Sequence, residues 1–155
     1  MPNGDACSAC TWTAVSNVAW ITIPGQTSGA GNGIVRLTVG ANTGPVRSGT
    51  ATIAGRTVTV NQDTGCTFAI APSSQDVGQA GGIGAFTVTT NAGCTWTASS
   101  NAPWITVTAG AAGSGGGSVQ FSVVANTTAA PRSGTITAAG HVFTVNQAAG
   151  SGKRN

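Results

Sequence analysis

Cys10-Thr11-Trp12-Thr13-Ala14 returns letter for letter as Cys94-Thr95-Trp96-Thr97-Ala98, 84 positions on, from Trp12 to Trp96. The agreement spreads outward from this stretch. Ser16-Asn17 and Trp20-Ile21-Thr22 recur as Ser100-Asn101 and Trp104-Ile105-Thr106 at the same offset. Val35, Leu37 and Val39, then Ala41-Asn42, match Val119, Phe121 and Val123, then Ala125-Asn126. Arg47-Ser48-Gly49-Thr50 matches Arg132-Ser133-Gly134-Thr135, and Val58-Thr59-Val60-Asn61-Gln62 matches Phe143-Thr144-Val145-Asn146-Gln147, now 85 apart, so one loop has gained a residue. Self-similarity at one long period is the mark of tandem structural units. The chain is read as two repeats, residues 1–64 and 65–149, with a flexible tail at 150–155.

Inside each repeat the apolar period is two, as a half-buried strand requires. In Val119-Gln120-Phe121-Ser122-Val123 the odd positions face inward, and Phe143 and Val145 alternate with Thr144 and Asn146. Glycine, asparagine and proline clusters separate such runs, and no stretch has a helical period. Short strands with turn signals at regular spacing indicate an all-β sandwich. Strands are expected at 66–71, 84–90, 94–98, 104–108, 118–125, 134–138 and 141–147, the seven of a simple immunoglobulin-like domain. Nothing before Cys10 corresponds to Cys66-Thr67-Phe68-Ala69-Ile70 or to Gly84-Ala85-Phe86-Thr87-Val88. The first repeat therefore lacks its N-terminal strands, and only residues 63–65 separate the two copies, which predicts a short rod.

The pattern Cys-x-Phe-x-Ile, Gly-x-Phe-x-Val, Cys-Thr-Trp-Thr-Ala, Ser-Asn-x-x-Trp-Ile, Arg-Ser-Gly-Thr and Val-Asn-Gln, quoted from residues 66–147, resembles the BACON-type repeats of bacterial and phage surface proteins. The resemblance runs from about Cys10 to Gln147. It implies an immunoglobulin-like sandwich, extracellular or cell-surface placement, and arrays joined to other modules. The family name presumes carbohydrate binding. The missing opening strands of the first copy depart from the family pattern.

Composition narrows the functional classes. Charged residues are 6% of the chain, with six Lys+Arg and three Asp+Glu, far below the roughly 25% of ordinary soluble domains. The basic residues are scattered, so the clustered cationic face of a nucleic-acid binder is absent. No apolar run reaches the roughly 18 residues of a membrane span. Asp5, Asp63 and Asp76 lie far apart in the sequence and His141 stands alone, so neither paired carboxylates nor an activated histidine is in view. No enzyme, metal site or cofactor is expected. The glycine runs Gly29–Gly33 and Gly113–Gly117 read as flexible turns, and Asn126-Thr127-Thr128 as a glycosylation sequon meaningful in a eukaryotic source.

Four cysteines in such a chain point to an oxidising compartment. Cys66 and Cys94, 28 apart, would pin the first strand to the third, a bond worth about 3.5 kcal/mol by loop-closure entropy. Cys10 is left to Cys7 or to a cysteine of another chain. The aromatic residues Trp12, Trp20, Trp96, Trp104, Phe68, Phe86, Phe121 and Phe143 are all assigned to the core. Trp20 and Trp104, each following a Ser-Asn turn, are the pair that could instead stack on a sugar ring. The leading expectation is a non-catalytic structural or adhesive module, a spacer or filament subunit whose open first repeat takes a strand from a neighbouring chain or repeat. The alternative is a carbohydrate-binding module. Residues 1–9 and 148–155 are expected to be flexible.

Overall fold

The computed structural model describes residues 9–151. It divides into two compact units, one ending at Gly65 and one beginning at Cys66. All regular structure among the described residues is β, as the period-two pattern requires.

The first unit holds β1 (Thr11–Ser16), β2 (Ile21–Thr22), β3 (Ser28–Ala30), β4 (Thr38–Val39), β5 (Arg47–Ile53) and β6 (Arg56–Gln62). The second holds β7 (Phe68–Ala71), β8 (Ser74–Val77), β9 (Gly82–Thr90), β10 (Thr95–Ser100), β11 (Ile105–Ala109), β12 (Ala112–Ser114), β13 (Gly117–Val123), β14 (Arg132–Ala138) and β15 (His141–Gln147). One sheet of the second unit runs β11-β13-β9-β7 and the other β12-β10-β14-β15-β8. This is the two-sheet arrangement of an immunoglobulin-like sandwich.

Two strands exceed the seven expected. β8 pairs parallel with β15, from Ser74↔Thr144 to Val77↔Gln147. The opening strand thus splits: β7 pairs with β9 in one sheet, and β8 joins the other sheet beyond the cis Ala71–Pro72 bond. Its sequence, Ser-Gln-Asp-Val, has one apolar residue, and its pairing is set by a strand about 70 residues away. β12 falls in the glycine run that was read as a flexible turn. The Arg-Ser-Gly-Thr motif is the start of β14 and of β5. The tail expectation also changes, because residues 148–151 are tied back: Ala148 N donates to Val77 O (3.0 Å) and Gly150 N to Thr128 O (2.7 Å). Residues 1–8 and 152–155 lie outside the described part.

The core of the second unit sits between its sheets. Phe121, Phe143, Val119 and Val145 have no exposed surface. Phe86 stacks on Phe143 with ring centroids 4.3 Å apart, and Phe121 tilts against Phe143 at 5.3 Å. Trp96 is also buried, whereas Phe68 and Trp104 are half-buried against the same cluster. Cys66 and Cys94 form a disulfide with Cα atoms 5.7 Å apart. It joins the stretch before β7 to the stretch before β10, and so links the two sheets.

The first unit keeps four strands of the larger sheet, β3-β1-β5-β6, and the two-stranded β2-β4. Counterparts of β7, β8 and β9 are absent among the described residues. The consequence appears in burial. Val39 and Val58 are each 39% exposed, while their equivalents Val123 and Phe143 are 5% and 0% exposed. Trp12 and Trp20 are half-buried. Cys10 is disulfide-bonded; Cys7, its expected partner, lies outside the described residues.

Both long hairpins turn through Ala-Gly with positive φ at each residue, 51° and 73° at Ala54-Gly55 and 51° and 77° at Ala139-Gly140. This is the two-residue turn that matches strand twist, and asparagine suits its first position better than alanine. Ala139→Asn should therefore raise the stability of the second unit by about 0.5–1 kcal/mol, read as a higher urea midpoint at unchanged slope. Loss of a fully enclosed ring costs about 3–5 kcal/mol, whereas truncating an already exposed valine costs under about 1 kcal/mol. Phe143→Ala and Val58→Ala should separate in that way when amide exchange is followed in each unit.

Candidate functional site

The residues preserved by the duplication are the natural place to look for a site, and each has a geometric role. Trp96 on β10 lies directly opposite Gly113 on β12, as Trp12 on β1 lies opposite Gly29 on β3. A Cβ at Gly117 would stand 2.7 Å from Trp96 Cζ2, and one at Gly29 would stand 2.6 Å from Trp12 Cζ2. The glycine runs are therefore cradles that let an indole lie flat on backbone. Trp96 Nε1 donates to Gly115 O at 2.8 Å, which satisfies its buried N–H.

The Ser-Asn pair closes the end of β10. Ser100 Oγ donates to Ala102 O at 2.8 Å, and Asn101 Nδ2 donates to Thr135 Oγ1 and Thr137 Oγ1 at 3.0 and 2.9 Å. Ser16 and Asn17 repeat these contacts with Val18, Thr50 and Thr52. The threonines of the Arg-Ser-Gly-Thr strand thus serve as acceptors for the asparagine.

The second tryptophan of each copy is covered by arginine. Arg132 lies over Trp104 with its guanidinium carbon 4.3 Å from the ring centroid, and Arg47 lies 4.4 Å over Trp20. Arg132 Nε donates to Gln147 Oε1 at 2.8 Å, and Nη2 donates to the carbonyls of Val124 and Ala125 at 2.9 and 3.2 Å. Arg47 repeats this with Gln62, Gly40 and Ala41. Guanidinium over indole is favourable by about 0.5–2 kcal/mol, more as water is excluded. One face of Trp20 and one face of Trp104 are thus occupied by an arginine of the same unit.

The remaining candidates are dispersed. His141 is exposed at the start of β15, Asp63 is exposed after β6, and Asp76 accepts from Asn146 Nδ2 at 3.0 Å on β8. Asp5 lies outside the described residues. Among the described residues no group of three or more His, Cys, Asp or Glu side chains could hold a metal ion. Asn126, the sequon residue, is 3% exposed. Its Nδ2 is already donated to Ala130 O and Ala148 O, and its Oδ1 accepts from Thr128. An asparagine held this way brackets a loop and is not presented for glycosylation. Sequence reasoning missed these roles because the partners are strand and loop groups, many of them backbone carbonyls, that carry no side-chain pattern or become neighbours only on folding.

Gly134 shows how closely the arginine-covered indole is fitted. A Cβ there would stand 2.7 Å from Trp104 Cζ2, 2.8 Å from Ala102 Cβ and 2.9 Å from Ile105 Cδ1. Gly134→Ala should destabilise the second unit by about 1–3 kcal/mol through overpacking, measured by urea denaturation, and should raise the exposure of Trp104 to acrylamide quenching.

No curated protein matches the sequence. The sequence profile described as the viral BACON domain matches twice in tandem, over residues 5–66 and 67–149. Those two matches cover most of the chain and fall on the two folded units, so the chain belongs to the viral BACON domain family.

Proposed function

We propose that the chain is a non-catalytic structural module of an extracellular or virus-associated surface, acting as a spacer or assembly unit. One observation carries this reading. The tryptophans shared by the two copies, and the shared arginine, serine and asparagine side chains, are engaged in contacts within their own unit, while the repeated threonines Thr11/Thr95, Thr13/Thr97 and Thr22/Thr106 are exposed. Trp12 and Trp96 fill glycine cradles, Arg47 and Arg132 clamp Trp20 and Trp104, and Ser48 and Ser133 donate across the strands to Asn61 and Asn146 at 2.9 and 3.0 Å. A duplicated sugar-stacking or acid–base site would leave a repeated aromatic or titratable side chain free of such contacts. The low charge of the chain and its disulfides agree with placement outside the reducing cytosol. Family membership agrees with a surface module.

Carbohydrate binding is the reading that a single experiment separates from this one. On a glycan array probed with micromolar protein, no carbohydrate should be retained. Retention that Trp104→Ala abolishes, with the β-sheet circular dichroism unchanged, would replace the structural reading with a sugar-binding one.

A further inference from the structure

The stretch that leaves β6 and the stretch that leaves β15 are held by the same set of bonds. Asn42 Nδ2 donates to Pro45 O and Asp63 O at 2.6 and 2.7 Å, and its Oδ1 accepts from Gly44 N at 3.1 Å. Gly65 N donates to Gly44 O at 2.8 Å, and Thr64 Oγ1 donates to the same carbonyl at 3.2 Å. In the second unit Asn126 Nδ2 donates to Ala130 O and Ala148 O at 2.8 and 3.0 Å, and its Oδ1 accepts from Thr128 N at 3.1 Å. Gly150 N donates to Thr128 O at 2.7 Å.

This bonding is the same in both copies although the residues around it differ. The loop of the second unit is one residue longer: Asn42 spans three positions to Pro45, and Asn126 spans four to Ala130. The held residues differ too, Asp63-Thr64 in one copy and Ala148-Ala149 in the other. Neither difference matters, because the asparagine reaches the held stretch through its backbone alone. Glycine is the one residue the two stretches share, at Gly65 and Gly150. A Cβ at either would collide with the backbone oxygen of Asn42 or of Asn126.

We infer that this asparagine is a latch, and that residues 63–65 are a strap of the first unit and not a free linker. An amide is the group the position needs. It gives one hydrogen to the loop and one to the strap, while its oxygen takes a loop N–H. A carboxylate of the same shape accepts but cannot donate, and would set negative charge against both carbonyls. Gly65 is bonded to Gly44 and the next residue, Cys66, to Cys94 of the second unit, so the chain passes the module boundary with no residue unheld. A free connection rich in small residues would be slack. The strap removes that slack. Its purpose rests on the spacer reading above, to which it adds the device that holds the chain between modules.

The test uses the full chain and backbone amide relaxation by NMR. In the unaltered protein Thr64 and Gly65 should have order parameters near the roughly 0.85 of rigid backbone, where a free linker falls below about 0.6. Asn42→Asp should bring both below about 0.6 and speed amide exchange at Gly65 about tenfold or more, with β5 and the second unit unchanged. Gly65→Ala should do the same by lifting the strap with Asn42 in place. It decides the matter alone if Asn42→Asp unfolds the first unit, seen as lost amide protection in β5. Low order parameters at Thr64 and Gly65 in the unaltered protein would overturn the inference. Rigid values there in a folded Asn42→Asp chain would overturn it too, as would rigid values in Gly65→Ala where that variant alone folds. A loose strap would leave the glycan array blank and the structural reading standing, whereas sugar retention would replace that reading with the latch still closed.

Discussion

One guanidinium in each unit ties its two sheets together at one end. Arg132 starts β14, yet it bonds the carbonyls of Val124 and Ala125 beyond β13 in the opposite sheet. It also covers Trp104, which leads into β11 of that sheet. Gln147 fixes the guanidinium from the neighbouring strand. A planar, permanently charged fork can satisfy all three demands at once, which an ammonium cannot. Half-buried, with Nε and Nη2 bonded to three oxygens, the charge avoids much of the desolvation cost of an unpaired ion. The same construction at Arg47 explains how the first unit keeps the short β2-β4 pair against its larger sheet although counterparts of β7, β8 and β9 are absent among the described residues.

That clamp does not replace burial. A sheet with one apolar face must cover it, and domains near 60 residues bury little more than half of their unfolded surface. In the second unit Phe86, Phe121 and Phe143 meet and exclude water completely. In the first, the equivalents of Phe121, Ile136 and Phe143 are Leu37, Ala51 and Val58. Each is smaller, so the apolar area left facing solvent is less than a copy of the second core would leave. The first unit combines four strands of the larger sheet, the repeated clamp and a trimmed core, and its stability rests more on hydrogen bonds and indole packing than on enclosed hydrocarbon.

The fold class was legible because alternation of apolar residues is a local signal, and the duplication because five residues in succession repeat unchanged. The strands built on alternation, such as β13 and β15, were found to within two residues. β8 was not, since Ser74–Val77 carries almost no alternation and owes its conformation to pairing with β15. β12 was hidden because glycine run and strand coincide: Gly113 is there to admit the Trp96 ring, a requirement set 17 residues earlier in the chain. The tail after Gln147 looked free because its bonds run to backbone at Val77 and Thr128, for which no side-chain pattern exists. The roles of Arg132, Asn101 and Gln147 were invisible for the same reason, each depending on partners brought together by sheet topology.

What separates a structural repeat from a binding one is where its polar groups point. In the second unit Asn126, the fully buried amide of the 126–128 loop, spends both amide hydrogens and its carbonyl on backbone and Thr128, and Gln147 spends its side chain on four partners. Leaving such groups unmet would cost about 1–3 kcal/mol each, so their saturation is what the fold requires before any function is added. In the first unit the strip bordered by Gly33–Val39 and β6 is less saturated: Gln62 Nε2 donates to the Gly40 carbonyl where Gln147 Nε2 donates to three carbonyls, and Val39 and Val58 are each 39% exposed.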